Sequence, residues 1–189
     1  MEKLSAVNLW IMGLLISRPL SAYDIAKILE TDIIGRLLKA SVPAVYKNIK
    51  ELHKAGYLDV ERTRASEMPE KKVYSVTDAG KTYFLRLMDY FSGNLSPHYF
   101  EFNTFLANID KVDKKTAMTM LENLRDQFCT MKTWIVAHEQ EALERNVDFA
   151  GRAIIKQYRM IMQTLIAWIE EVIEEGRHRD VLSGDGHLP

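Results

Sequence analysis

The chain has 189 residues, a length that fits one large domain or two small ones, and its 47% hydrophobic content excludes a protein that is disordered throughout. The formal net charge of −1 excludes a generally polycationic nucleic-acid coat protein. That total hides an asymmetry, because residues 1–85 hold 13 basic and 10 acidic residues whereas residues 86–189 hold 12 and 16. A mildly basic first half joined to an acidic second half predicts two separate tasks.

Cysteine usage and hydropathy indicate the compartment. Cys129 is the only cysteine, so no disulfide forms within the chain, and its place in a helical pattern favours a buried apolar thiol. No signal peptide is recognised at the N-terminus, and the apolar run at 9–16 is too short to span a bilayer. We therefore expect a cytoplasmic protein with no membrane partner.

Three helices are predicted before the first hairpin. The first covers residues 5–17. Ser21 and Asp24 have the spacing of a capping box at the start of a second helix. The third follows Ser41, an N-cap residue, and ends at Gly56, which suits the left-handed position after a helix.

The hydrophobic period changes from that of a helix to that of a strand after Gly56, which predicts a hairpin. Its strands cover residues 58–61 and 73–76, and a polar loop that holds a proline joins them. Thr77 then caps a fourth helix. The fold class predicted for the whole chain is mainly α with a small β-hairpin wing.

Two elements of this first half carry basic surfaces. On the third helix, Val42, Val45, Ile49 and Leu52 share one sector, and the opposite sector carries Lys47, Lys50 and Lys54. Four cations flank the hairpin tip: Arg62, Arg64, Lys71 and Lys72. An ordinary solvated face is the alternative for either element alone. Two independent basic elements in this order favour a winged helix-turn-helix, whose second paired helix enters the major groove of DNA.

Four segments resemble PadR-type transcriptional regulators. They are Tyr23-Asp24-Ile25 in the second helix, residues 41–46 (Ser-Val-Pro-Ala-Val-Tyr), residues 50–58 (Lys-Glu-Leu-His-Lys-Ala-Gly-Tyr-Leu) and residues 72–80 (Lys-Val-Tyr-Ser-Val-Thr-Asp-Ala-Gly). The second half resembles, in layout and length, the C-terminal helical region of the longer members similar to the virulence-gene activators. The resemblance implies a DNA-binding regulator, more often a repressor, that acts as a homodimer on a two-fold operator.

Twelve residues are the candidate contacts to double-stranded DNA. Base reading is expected from Ser41, Ala44, Lys47 and Asn48, and phosphate contacts from Tyr23, Tyr46, Lys50 and Lys54, with Arg62, Arg64, Lys71 and Lys72 added by the wing. The alternative is a winged-helix adaptor that uses the lysines to bind an acidic protein and does not bind DNA. We expect no enzyme, no metal site and no cofactor, because the sequence offers no set of convergent catalytic or ligating groups.

The second half is predicted to be helical. A short helix over 99–109 is followed by long helices over 113–145 and 148–177. The predicted domains are a winged helix at 1–91 and a helical dimerisation domain at 98–177, with a disordered tail at 178–189.

Apolar residues recur on the two long helices at heptad spacing, which predicts a homodimer. The interface residues expected are Leu121, Leu124, Phe128, Met131, Ile135, Ile161, Leu165, Trp168 and Val172. The alternative is a monomer whose second apolar stripe packs on the winged helix.

Six aromatic residues cluster at the junction of the two halves: Tyr90, Phe91, Tyr99, Phe100, Phe102 and Phe105. A cleft lined by aromatic side chains binds planar ligands, so these residues are a candidate pocket for a small aromatic effector. Packing between domains is the alternative.

Overall fold

The computed structural model of the chain describes residues 4–31, 40–63, 71–95, 100–144 and 147–178. Its first unit contains α1 (Ala6–Ser17), β1 (Leu20–Ser21), α2 (Ala22–Thr31), α3 (Val42–Lys54), β2 (Leu58–Thr63), β3 (Lys71–Val76) and α4 (Asp78–Gly93). Its second unit contains α5 (Asn103–Leu106), a 3₁₀ turn (Ile109–Lys111), α6 (Lys114–Glu144) and α7 (Phe149–His178).

Contacts divide the chain into two compact units, Met1–Pro97 and His98–Pro189. The predicted fold class, mainly α with a small wing, is confirmed. The exact domain limits stay predictions, and residues 179–189 of the expected tail lie outside the described residues.

Helix α1 occupies the centre of the first unit. It is apolar on nearly every side, as expected of a helix that neighbours cover all round. Ile11, Met12 and Leu15 are buried, and the helix packs against α3, α4 and β3.

The predicted helix caps form. Ser21 and Asp24 close a capping box, in which the Asp24 amide donates to Ser21 Oγ (3.2 Å) and the Ser21 amide donates to Asp24 Oδ2 (3.2 Å). Ser41 Oγ accepts from the Ala44 amide at 3.4 Å. Gly56 has a φ of 78°, which confirms the left-handed residue after α3.

The expected hairpin is present as β2 and β3, and a short strand, β1, extends it to a three-stranded antiparallel sheet. The strand order is β1-β3-β2, so β3 is central. Strand β1 pairs with it through Leu20↔Tyr74 and Ser21↔Val73. The sequence did not reveal β1, because two residues are too few to show alternation. Strand β3 also begins at Lys71, two residues before the predicted start.

Helices α6 and α7 pack against each other in the second unit, with their axes antiparallel. The start of α6 lies beside the end of α7, where Lys114 Nζ donates to the Arg177 carbonyl at 3.3 Å. Their shared seam buries Leu121, Phe128 and Ile135 from α6 and Ile155, Met162, Ile169 and Ile173 from α7.

Two local predictions in this unit are wrong. The helix expected over 99–109 is reduced to α5 and the 3₁₀ turn. The side chain of Asn108 donates to the Thr104 carbonyl (2.8 Å), which a continuing α-helix would pair with the Asn108 backbone amide. That backbone amide donates to the Phe105 carbonyl instead (3.0 Å). Cys129 is exposed rather than buried, because Phe128 faces the seam and the next residue points about 100° away from it. Across the described ranges, no helix meets the length and hydropathy needed to cross a bilayer.

Candidate nucleic-acid interface

The outer side of α3 presents a cationic surface, which we call the lysine face: Lys47, Lys50 and Lys54. All three side chains are exposed, while Val45, Ile49 and Leu52 on the other side are buried. Glu51 lies within 3.9 Å of Lys47, but both side chains are more than half exposed, so this pair is weak. The helix therefore exposes positive charge to solvent from Lys47 to its C-terminal residue, Lys54.

Three smaller residues accompany the lysines near the start of α3. Ser41 is exposed, and its hydroxyl caps the helix. Ala44 and Asn48 are half-buried, and the side-chain Nδ2 of Asn48 donates to the Ala44 carbonyl at 2.8 Å. One side-chain N–H of Asn48 is thus engaged within its own helix.

Two tyrosines expose large surfaces on the paired helices. Tyr23 of α2 is 67% exposed and Tyr46 of α3 is 44% exposed. Helices α2 and α3 pack together, so both rings belong to the same helix pair. A phenol that carries this much exposed surface contributes little to the core, which leaves its hydroxyl available for a polar partner.

The C-terminal end of α3 is tied to the sheet. His53 Nδ1 lies 2.8 Å from the Leu58 carbonyl, so this ring nitrogen carries the proton and donates it. Thr77 Oγ1 donates to the Gly56 carbonyl at 2.8 Å and accepts from the Gly80 amide at 2.9 Å. These bonds fix the direction in which the chain leaves α3 and enters the wing.

Cations of the wing fall into different environments. Arg62 and Lys72 are paired across β2 and β3, and both are exposed. Lys71 instead lies 3.0 Å from Asp24 Oδ2 on α2. Arg64 lies outside the described residues.

The Asp24 carboxylate is held by two elements at once. Ser21 Oγ donates to Asp24 Oδ2 at 2.7 Å, and Lys71 approaches the same oxygen from β3. The hydrogen bond from Ser21, followed by that from Lys71, lowers the pKa of the Asp24 carboxyl below its ordinary value. Sequence reasoning recognised Asp24 as a capping residue but missed its ion pair, since nothing in the pattern of β3 points to α2.

The predicted dimer residues have three different fates in the structure. Leu121, Phe128 and Ile135 are buried between α6 and α7 of the same chain. Half-buried positions at the edge of that seam are Leu124, Ile161, Leu165, Trp168 and Val172. Met131 is 50% exposed. The single heptad seam predicted on α6 is therefore two stripes, one that faces α7 and one that faces outward.

The outward stripe of α6 is apolar. Met120, Met131 and Trp134 are 39%, 50% and 46% exposed, and they lie on one side of the helix because steps of three, four and seven residues add up to the distances between them. His138 continues this stripe, and its ring centroid lies 3.9 Å from that of Trp134, with the two planes tilted by 38°. On α7, Phe149 is 81% and Met160 is 54% exposed.

Residues of the predicted effector pocket belong to separate cores. Phe91 of α4 packs on the core of the first unit, and Tyr90 contacts it edge to face. Phe102 and Phe105 pack on the core of the second unit, where Phe102 lies 5.9 Å from Trp168. Phe100 stacks on Phe102, and Tyr99 lies outside the described residues. The pocket stays a prediction.

Residues 11–86 match the model of the PadR-like family, whose description is that of a transcriptional regulator. Over 71 residues the chain is 34% identical to the negative transcriptional regulator PadR of Bacillus subtilis (strain 168). This alignment covers 38% of the chain and 38% of that relative, so the matched segment spans well under half of either protein.

Solved structures extend the likeness to both units of the fold. B. subtilis PadR in complex with operator DNA superposes with a TM-score of 0.76 at 19% identity, over 90% of this chain and 98% of that one. B. subtilis PadR in complex with p-coumaric acid gives 0.74 at 17% identity, over 95% and 99%. The Vibrio cholerae virulence activator AphA gives 0.64 at 21% identity, over 90% and 97%. These likenesses show a shared fold.

The segment matched by the family model begins inside α1 and ends inside α4, so it includes the helix pair, the lysine face and the wing. The described residues contain no group of three or more His, Cys, Asp or Glu side chains placed to hold a metal ion. Residues 11–86 therefore carry a PadR-like domain, the domain of a family of transcriptional regulators.

Proposed function

We propose that this chain is a cytoplasmic, DNA-binding repressor that acts as a homodimer on a two-fold operator. The observation that carries the proposal is the lysine face. It is exposed on α3, the second helix of the helix-turn-helix. An α-helix fits the major groove, and a row of ammonium groups is attracted to its phosphate walls. The B. subtilis relative is a negative transcriptional regulator, which supports repression by this chain.

Duplex binding measured against salt tests the DNA-binding step. The operator is first selected from a random duplex library with the parent protein. Lys47→Ala should weaken operator binding by roughly tenfold or more but random-duplex binding much less, because a base-edge contact is lost. Lys54→Ala should weaken both duplexes about equally and lower the salt slope by about one, because a phosphate contact is lost.

Lys115→Ala is the matched control, since this exposed lysine lies on α6 of the second unit. It should bind like the parent. If the parent protein binds no duplex and the lysine face instead captures acidic proteins, the winged-helix adaptor is the correct alternative.

Dimer formation is supported by the apolar surface that one chain leaves exposed. Met131 and Trp134 on α6 and Phe149 and Met160 on α7 are large hydrophobic side chains with 46–81% of their surface exposed. Burying such side chains against a second copy removes them from water at no cost to the fold of either chain. Two-fold pairing is the commonest way in which identical chains bury such a surface.

We extend the proposal to a small aromatic effector, which the structure of B. subtilis PadR with p-coumaric acid supports by analogy. Trp168 lies 5.9 Å from Phe102, so its fluorescence reports ligand near the predicted aromatic residues once Trp10 and Trp134 are replaced by Phe. Added p-coumaric acid should change this fluorescence saturably and release the protein from its operator over the same concentration range. Saturable binding with unchanged operator affinity would contradict a regulatory role for the ligand, and the absence of any saturable change would assign these aromatics to packing alone.

A further inference from the structure

Asp24 stands where three parts of the first unit meet. Its carboxylate accepts from Ser21, which is both the cap of α2 and a residue of β1. The same carboxylate oxygen binds Lys71, the first residue of β3. One side chain thus links the first helix of the helix-turn-helix with the central strand of the wing.

The wing is consequently attached to α2 at two points. The first attachment is the β1–β3 pairing, which joins Leu20 to Tyr74 and Ser21 to Val73. The second is the Asp24–Lys71 ion pair, two residues nearer to the wing tip. Strand β2 pairs with the opposite edge of β3, but on this edge the pairing stops at Val73 because β1 ends at Ser21. The ion pair carries the attachment on this edge to Lys71, the first residue of β3. The second attachment therefore sets how Arg62 and Lys72 are presented.

The ion pair is more suited to orienting the wing than to stabilising the fold. The side chains of Lys71 and Asp24 are 55% and 34% exposed, and ion pairs in such surroundings contribute little to folding. Even so, a small change in strand direction moves charges that must meet phosphates at fixed spacings. The Ser21 hydroxyl holds the carboxylate in place, so little ordering is needed when Lys71 binds.

We propose that Asp24 and Lys71 are positioning residues of the DNA interface, whose ion pair fixes the wing against α2. Lys71 then acts by directing Arg62 and Lys72 toward the phosphates. It is not a phosphate contact itself, although its position in the sequence predicts one. This inference rests on the proposed DNA-binding function.

The sign of one substitution separates positioning from direct contact. Removing the Asp24 carboxylate lessens the negative charge near DNA, so simple electrostatics predicts that Asp24→Asn strengthens binding. Positioning predicts the opposite. We expect Asp24→Asn and Lys71→Met each to weaken operator binding by roughly fivefold or more, as is usual for coupled sites. We also expect the double variant to bind no more weakly than either single one.

Two further variants, together with Lys71→Met, test the interpretation. Lys71→Met leaves the capping box intact, so it separates the ion pair from the helix cap. Asp24→Glu keeps the carboxylate and should retain most of the affinity. Lys72→Met should weaken binding in the parent protein but much less in the Asp24→Asn background, because the Lys72 contact then depends on the ion pair. Lys115→Ala, at an exposed lysine of the second unit, is the control whose effect should be the same in both backgrounds. Thermal unfolding establishes that every variant is folded before binding is compared.

Each remaining outcome overturns a defined claim. Tighter binding by Asp24→Asn, together with a salt slope lowered by about one in Lys71→Met, would make Lys71 a phosphate contact and the positioning role wrong. Additive effects of the two substitutions would also overturn it, while leaving DNA binding intact. A parent protein that binds no duplex at all would instead overturn the proposed function itself.

Discussion

Met131→Asp should abolish both self-association and tight operator binding. Met131 is 50% exposed in the single chain, so a charge there costs the fold of that chain little. In a dimer that covers the outward stripe of α6, the same carboxylate would be buried without a partner, at a cost of several kcal/mol. Because each half-site alone binds weakly, operator affinity should fall by about 100-fold or more with the loss of the dimer.

Sedimentation velocity and duplex titration at the same protein concentration measure the two losses. Gln140→Asp is the matched control. This exposed residue follows Met131 by nine positions, which places it on the opposite side of α6. It should remain dimeric. Leu165 and Trp168 are poorer test sites, because both pack on the core of their own chain. A parent protein that is monomeric at micromolar concentration yet binds its operator tightly would exclude the dimer model.

Periodicity alone predicted the long helices but not which stripe each residue occupies. The four-and-three spacing on α6 merges two stripes that lie less than a quarter turn apart. The structure separates them: Phe128 faces α7, whereas Met131 faces outward. That choice depends on the exact crossing of α6 and α7, which is a property of packed side chains and leaves no trace in one sequence.

The winged helix was more predictable because its signals are local. Ser21 and Asp24 are three residues apart and cap the same helix. Gly56 lies just past the end of α3, at the position where a left-handed conformation is common and favours glycine. Long-range contacts had no such signal. Strand β1 is defined only by its partner β3, and Lys71 reads as one more wing cation until the fold brings Asp24 beside it.

Gly80 shows the same limit in a different form. The sequence presents it as the last residue of a segment shared with PadR-type regulators, without a reason for glycine. In the structure it is buried in the first turn of α4, with an ordinary helical backbone. A Cβ built there would lie 2.1 Å from the Tyr57 carbonyl oxygen and 2.8 Å from Val76 Cγ1. Glycine is required at this position because there is no room for a Cβ atom, and not because the backbone conformation needs it.

Gly80→Ala should therefore destabilise the first unit, by about 3 kcal/mol in urea unfolding, because the Tyr57 backbone must move to admit one methyl group. That movement would also disturb the bond from the Thr77 amide to the Tyr57 carbonyl (3.2 Å), where the wing returns to α4. Gly13→Ala is the matched control inside α1, since its nearest neighbour is Phe84 Cε2 at 3.9 Å. It should stabilise the helix by about 0.5–1 kcal/mol. Equal stabilities for the two variants would contradict this steric explanation, since only Gly80 faces a backbone atom too close to yield.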